Sequence, residues 1–133
     1  MTRASSLRQV WDHPSQRLIH VGAVVDSAGK TTPGKAADRR RAELEQDKSH
    51  VLSFHRVETR LGNLPAVRVS AVYETPGNMV PTIEETIFAR GDARVYELTL
   101  LTTSSRFHED DAVFESMVRS WKALPCPAAK AQP

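Results

Sequence analysis

The sequence predicts an α+β domain: an antiparallel sheet, built as a four-strand meander with one or two strands before it, flanked by two helices. Three observations predict it. Four strand-like segments follow one another at 50–60, 65–74, 82–90 and 94–103. The links between them are turn chemistry, which forces neighbouring strands to run antiparallel. A segment with one apolar stripe, 108–121, closes the chain.

A chain of 133 residues supports one domain with a modest core, so 1–133 is read as a single domain with frayed ends at 1–6 and 125–133. Apolar residues make up 40% and charged residues 26%, the mixture of an ordinary globular protein. A net charge of +2 argues neither for nucleic acid nor for an anionic surface. No run approaches the roughly 20 apolar residues of a membrane helix, so no stable membrane insertion is expected. The N-terminus, MTRASSLRQVWDHP, has neither an apolar signal segment nor an acylatable Cys, so the sequence reads as cytoplasmic. The single cysteine, Cys126, lies in the tail PCPAAKAQP and allows no internal disulfide.

The first element is a strand over 17–26, RLIHVGAVVD. A helix over 33–47 follows, with Thr31 or Thr32 as cap and only Ala37 and Leu44 as good anchors. Arg39, Arg40 and Arg41 precede Glu43, Glu45 and Asp47, the pattern of a solvated helix face. In the meander, Gly62-Asn63 and Gly91-Asp92 are candidate two-residue turns, and TPGNMVP, 75–81, is a longer loop.

Turn positions fix registers. A Gly91-Asp92 turn sets Arg90 opposite Ala93 and puts Ile83, Ile87, Ala89, Tyr96, Leu98 and Leu100 on one face. The Gly62-Asn63 turn groups Leu52, Phe54, Val67, Val69, Ala71 and Tyr73. Both sets are expected on one apolar side of the sheet, beneath the final helix. Val113, Phe114, Met117, Val118 and Trp121 form that helix's stripe, and burying them contributes on the order of 8–12 kcal/mol before entropy. The other, mixed side is then expected to carry Ser70, Val72, Glu84, Thr86, Phe88, Thr99 and Leu101, together with Ser53, His55, Val57, Arg68 and Glu97.

Gly29, Gly34 and Lys35 in DSAGKTTPGKA match the spacing of a phosphate-binding loop. The residue after the lysine is Ala36, which cannot hold Mg²⁺, and Pro33 removes one amide donor. A sheet built by hairpins also lacks the crossovers that place the acidic partner. The stretch therefore reads as a strand-to-helix loop, and no cofactor is expected.

Other chemistry finds no constellation. The histidines at 13, 20, 50, 55 and 108 are scattered, and His50 and His55 point to opposite faces of a strand unless a bulge intervenes. His20, in an apolar strand, reads as a core or face residue. His108 and the three acids after it suit a helix N-terminus better than a cation. Glu84 and Glu85 are adjacent, hence on opposite faces, and cannot pair as acid and base. No metal site is expected, and the chain reads as a non-catalytic protein. Only 6% of it is aromatic, which argues against a nucleic-acid platform.

Two phrases resemble a known family. ETRLGNLPAVRVSAVYE, 58–74, is similar to the L-G-G-x-P-A hairpin of the PsbP-like superfamily. Residues 87–121 resemble its G-x-x-x-Y-x-L-T strand and its terminal helix ending in Ser-Phe, here Ser120-Trp121. The extra first strand of that family, around P-x-G-W, has no such phrase here; Val10-Trp11 reads as a remnant of the segment that follows it. Within the superfamily the chain is most similar to the effector-associated (Eag) chaperones of bacterial type VI secretion. That resemblance implies a PsbP-like α/β sandwich and a cytoplasmic, non-catalytic chaperone or adaptor. Such a protein shields the apolar, transmembrane-like segment of a toxin effector, often as a strand-swapped homodimer. No groove residue carries over by identity. The mixed sheet face, from Ser70 to Leu101, is the candidate surface for an apolar helix. The alternative is an envelope lipoprotein of the same fold, LpqN-like, whose leader is missing and which binds a small molecule or a protein.

Overall fold

The computed structural model describes residues 7–12, 18–26 and 28–122. The expected frayed ends, His13 and Cys126 lie outside the described residues. The elements are β1 (Leu7–Asp12), β2 (Leu18–Val25), α1 (Pro33–Gln46), β3 (His50–Leu61), β4 (Leu64–Glu74), β5 (Thr82–Arg90), β6 (Arg94–Thr102) and α2 (Phe107–Ser120). The strands form one sheet in the order β1-β2-β6-β5-β4-β3, every neighbouring pair antiparallel. The meander thus matches the sequence reading, with strand ends within one residue of those expected. Contrary to the expectation of a sheet without crossovers, β2 and β3 run parallel, and α1 crosses the sheet between them.

Local chemistry accounts for the ends of the elements. Thr32 caps α1, its Oγ1 accepting from the Lys35 amide at 3.1 Å, and Pro33 occupies the first turn, where no amide partner is lost. Gly62 turns at φ 60° between Leu61 and Leu64, so the first hairpin closes as expected. The second turn differs. Arg90 lies opposite Val95, not Ala93, and the Gly91 amide donates to the Arg94 carbonyl at 2.8 Å, so Asp92-Ala93 form the turn. The register moves by an even number of residues, so every side chain keeps its face.

The phasing of the two hairpins corrects the sequence reading. Val67 pairs with Phe88, Val69 with Thr86 and Ala71 with Glu84. The apolar side of the first hairpin therefore shares a face with the polar side of the second. Each face has its own cluster and its own helix. On one, Val67, Val69, Ala71, Tyr73 and Phe88 pack against Ala36, Ala37 and Leu44 of α1. On the other, Ile19, Leu61, Ala66, Ile87, Ala89, Leu98 and Leu100 pack against Phe114, with Met117, Val118 and Trp121 beside them. Trp121 meets Tyr96 edge-on at 5.0 Å. Val113, expected in the stripe, is 40% exposed.

β3 departs from its expected pattern through a bulge between Val51 and Ser53. Leu52 sits there 49% exposed, outside the core assigned to it. The bulge also brings His50 and His55 to one face, opposite Glu74 and Ser70, about 13 Å apart along the strand.

Candidate binding cleft

α1 packs over β3, β4 and β5 and, among the described residues, leaves β2 and β6 largely uncovered on its side of the sheet. The result is a cleft of about 520 Å³ between α1 and the β2–β6 floor. Its floor is set by strand pairing. Phe88, Thr86 and Glu84 of β5 lie opposite Glu97, Thr99 and Leu101 of β6, which lie opposite Gly22, His20 and Leu18 of β2. Gly22 contributes no side chain beside Glu97. Val24, Val95 and Phe88 form one apolar end, and Leu18 and Leu101 the other.

A polar ladder crosses between those ends. Arg40, on the buried side of α1, donates to both carboxylate oxygens of Glu84, from Nε at 2.9 Å and from its second terminal nitrogen at 2.7 Å. The Tyr73 hydroxyl donates to the same carboxylate at 2.8 Å. Thr86 donates to Glu84 at 3.0 Å and lies 3.0 Å from the Thr99 hydroxyl, which reaches Glu97 at 3.4 Å. His20 Nδ1 stands 3.6 Å from Glu97. Arg40 is therefore not part of a solvated face, as its neighbours had suggested; it is the cation that allows Glu84 to lie 1% exposed. Burial disfavours the charge on Arg40, but the Glu84 carboxylate outweighs that and raises the guanidinium pKa. Burial, then the charge on Glu84, pushes the Tyr73 hydroxyl well above its usual value.

The seven residues named from sequence divide between the two faces. Glu84, Phe88, Thr99 and Leu101 line the cleft, with Thr86 buried among them. Ser70 and Val72 are on the α2 side, where the Ser70 hydroxyl donates to Glu85 at 2.9 Å. Their grouping assumed that the two hairpins share a phase, which the loop at 75–81 does not enforce. Glu84 and Glu85 do point to opposite faces, and each has its own arginine: Arg68 donates to Glu85 at 2.9 Å and to Glu115 of α2 at 2.5 Å. Sequence reasoning missed Leu18, Val24, Val95, Arg39 and Arg40 as cleft residues. Alternation within β2 and β6 put the right side chains together, but nothing in the sequence paired those strands.

The glycine-containing loop directs its amides inward. The Thr31 amide donates to Asp26 Oδ2 at 2.8 Å, Gly29 to the Asp26 carbonyl at 3.1 Å and Ala36 to the Thr32 carbonyl at 3.0 Å. Arg90 braces Asp26 at 2.8 Å. Among the described residues no group of His, Cys, Asp and Glu is placed to hold a metal ion. No helix among them is long and apolar enough to cross a membrane.

No protein-family model matches the sequence, and neither does any curated protein. Solved structures match the fold. PA94 of Pseudomonas aeruginosa, a protein of unknown function, aligns with a TM-score of 0.62 at 14% identity, over 91% of this chain and 83% of its own. CyanoP, the cyanobacterial PsbP of Synechocystis sp. PCC 6803, gives a TM-score of 0.62 at 8% identity over the same shares. LpqN of Mycobacterium tuberculosis, involved in cell envelope biogenesis, gives 0.47 at 15% identity, over 82% of this chain and 68% of its own. The chain has the PsbP-like α+β fold. At such identities the likeness speaks to fold alone.

Proposed function

We propose that the protein is a non-catalytic chaperone or adaptor whose cleft receives an apolar helical segment of a partner protein, such as the transmembrane-like segment of a secreted toxin. The cleft itself carries this reading. It combines apolar ends with a central row of hydroxyl and carboxylate groups, and the acids there are engaged by Arg40, by threonines or by His20. An apolar helix with small polar residues would find van der Waals contact at Leu18, Leu101 and Val95 and hydrogen-bond partners at Thr99. The resemblance to effector-associated chaperones supports the same assignment, and with it a cytoplasmic place of action.

Co-expression with the apolar segment of a toxin encoded beside this gene tests it. Wild type is expected to hold the segment in solution, and Leu101→Arg to release it, because a cation then projects into an apolar wall. Leu52→Arg, at the exposed bulge away from the cleft, is expected to behave as wild type. Failure of the wild-type protein to hold any such segment overturns the reading. A volume of about 520 Å³ also lies within the range of small-molecule pockets, which supports a second reading of the same cleft as a small-ligand site. Saturable binding of a small apolar compound, blocked by Leu101→Arg with no peptide bound, would favour it.

A further inference from the structure

β3 is an edge strand of 12 residues, and its segment 55–60 is exposed throughout. Val57 keeps 61% of its surface in water. An edge this long is a template for another strand unless something blocks it.

The direction of its main-chain groups follows from the turn. A two-residue turn closes on a pair that exchanges both hydrogen bonds, here Leu61 and Leu64. Leu61, Thr59, Val57 and His55 then direct their amides toward β4, while Arg60, Glu58, Arg56 and Phe54 direct theirs outward. Carried across β4 and β5, the same phase requires Gly91 and Arg94 to be a bonded pair, as the 2.8 Å contact between them bears out.

Outward groups on even-numbered residues restrict how a second β3 could add antiparallel. Even must meet even. With Val57 on a twofold axis, Arg56 of each copy faces Glu58 of the other, and Phe54 faces Arg60. Moving two residues either way sets Arg56 against Arg56 or Glu58 against Glu58, like charges directly opposite. Glu58 has no ion-pair partner among the described residues, and Arg56 already lies flat against α1 through Asp38 and the Gly34 carbonyl. The charges that would protect this edge against a foreign strand are thus complementary to themselves in one register.

We propose that β3 pairs with β3 of a second copy of this chain, antiparallel about Val57, joining two six-stranded sheets into one. The contact exchanges no strand between copies, and it stands whether or not the cleft binds a helix. Each Arg56–Glu58 pair contributes two main-chain hydrogen bonds and one ion pair, and the two Val57 side chains meet across the axis as a close, non-bonded pair.

Sedimentation at micromolar concentration, on a Cys126→Ser background, tests this. Wild type is expected to be a dimer. Glu58→Pro removes an outward donor and leaves the β4 ladder whole, so a monomer with an unchanged circular dichroism spectrum is expected. Glu58→Arg weakens the dimer by roughly tenfold or more, and adding Arg56→Glu restores it. Val57→Cys cross-links on oxidation; Thr59→Cys, which faces His55, does not. A monomer at every concentration overturns the proposal. So does a dimer that persists with Glu58→Pro or cross-links through Thr59→Cys.

Discussion

Arg40 and Glu84 meet in a bidentate pair across the α1–sheet interface, with 24% of the arginine side chain and 1% of the glutamate side chain exposed. One residue further along β5, Glu85 makes the corresponding pair with Arg68 on the opposite face. α1 has few apolar residues, so this pair helps to seat it, together with Ala36, Ala37 and Leu44 and the contacts of Arg56 with Asp38 and the Gly34 carbonyl.

Removing one partner of the pair is costlier than removing both. Arg40→Met leaves Glu84 buried without its cation and is expected to lower stability by about 3 kcal/mol, near the low end for buried pairs because Arg40 is partly solvated. Arg40→Met with Glu84→Leu is expected to recover at least half of that. Urea denaturation of the two singles and the double measures the coupling.

The α2 side is expected to depend on Phe114. It is fully buried within its cluster, and Phe114→Ala is expected to cost about 3–5 kcal/mol. Val113→Ala, one residue earlier and facing water, is expected to stay within about 0.5 kcal/mol. Equal losses from the two would contradict the orientation of α2.

Gly62→Ala is expected to cost about 1–2 kcal/mol, the strain of an L side chain at φ 60°. The added Cβ would lie 3.6 Å from the Trp121 ring, an ordinary contact, so crowding adds little. Thermal unfolding should shift while Trp121 fluorescence in the folded protein does not.

Asp26 predicts a pH dependence. The Thr31 amide, and after it the Lys30 amide and the charge on Arg90, hold its carboxyl below the usual 3.8 against the cost of burial. The unfolded chain therefore takes up this proton at higher pH than the folded one. The stabilisation is complete above about pH 5 and is lost as pH falls through the lowered value. In Asp26→Asn the corresponding part of the slope of stability below about pH 5 should vanish.

Most of the fold was legible because its signals are local. Gly62-Asn63, the alternation in β4 to β6 and the stripe of Phe114, Met117 and Trp121 each act within a few residues. The relative phase of the two hairpins was not legible, since TPGNMVP is long enough to join them either way; this separated Ser70 and Val72 from Thr86 and Thr99. The bulge at Leu52 left no mark in the pattern. Arg40 looked like its two neighbours in sequence, and only the strand beneath it distinguishes them. The cleft depended on β2 pairing with β6, whose nearest partners, Val25 and Arg94, have 68 residues between them, too distant for any local pattern.

The two helices meet the sheet with opposite polarity. α1 brings a cation to a strand carboxylate, while α2 brings Glu115 and Asp111 toward the strand cation Arg68. Were α2 to settle on the wrong side during folding, its acids would confront Glu84; were α1 to do so, Arg40 would find Glu85 already held by Arg68 and Ser70. Mis-sided assembly thus meets repulsion for α2 and an occupied carboxylate for α1, which helps a short chain with two modest greasy surfaces tell its front from its back.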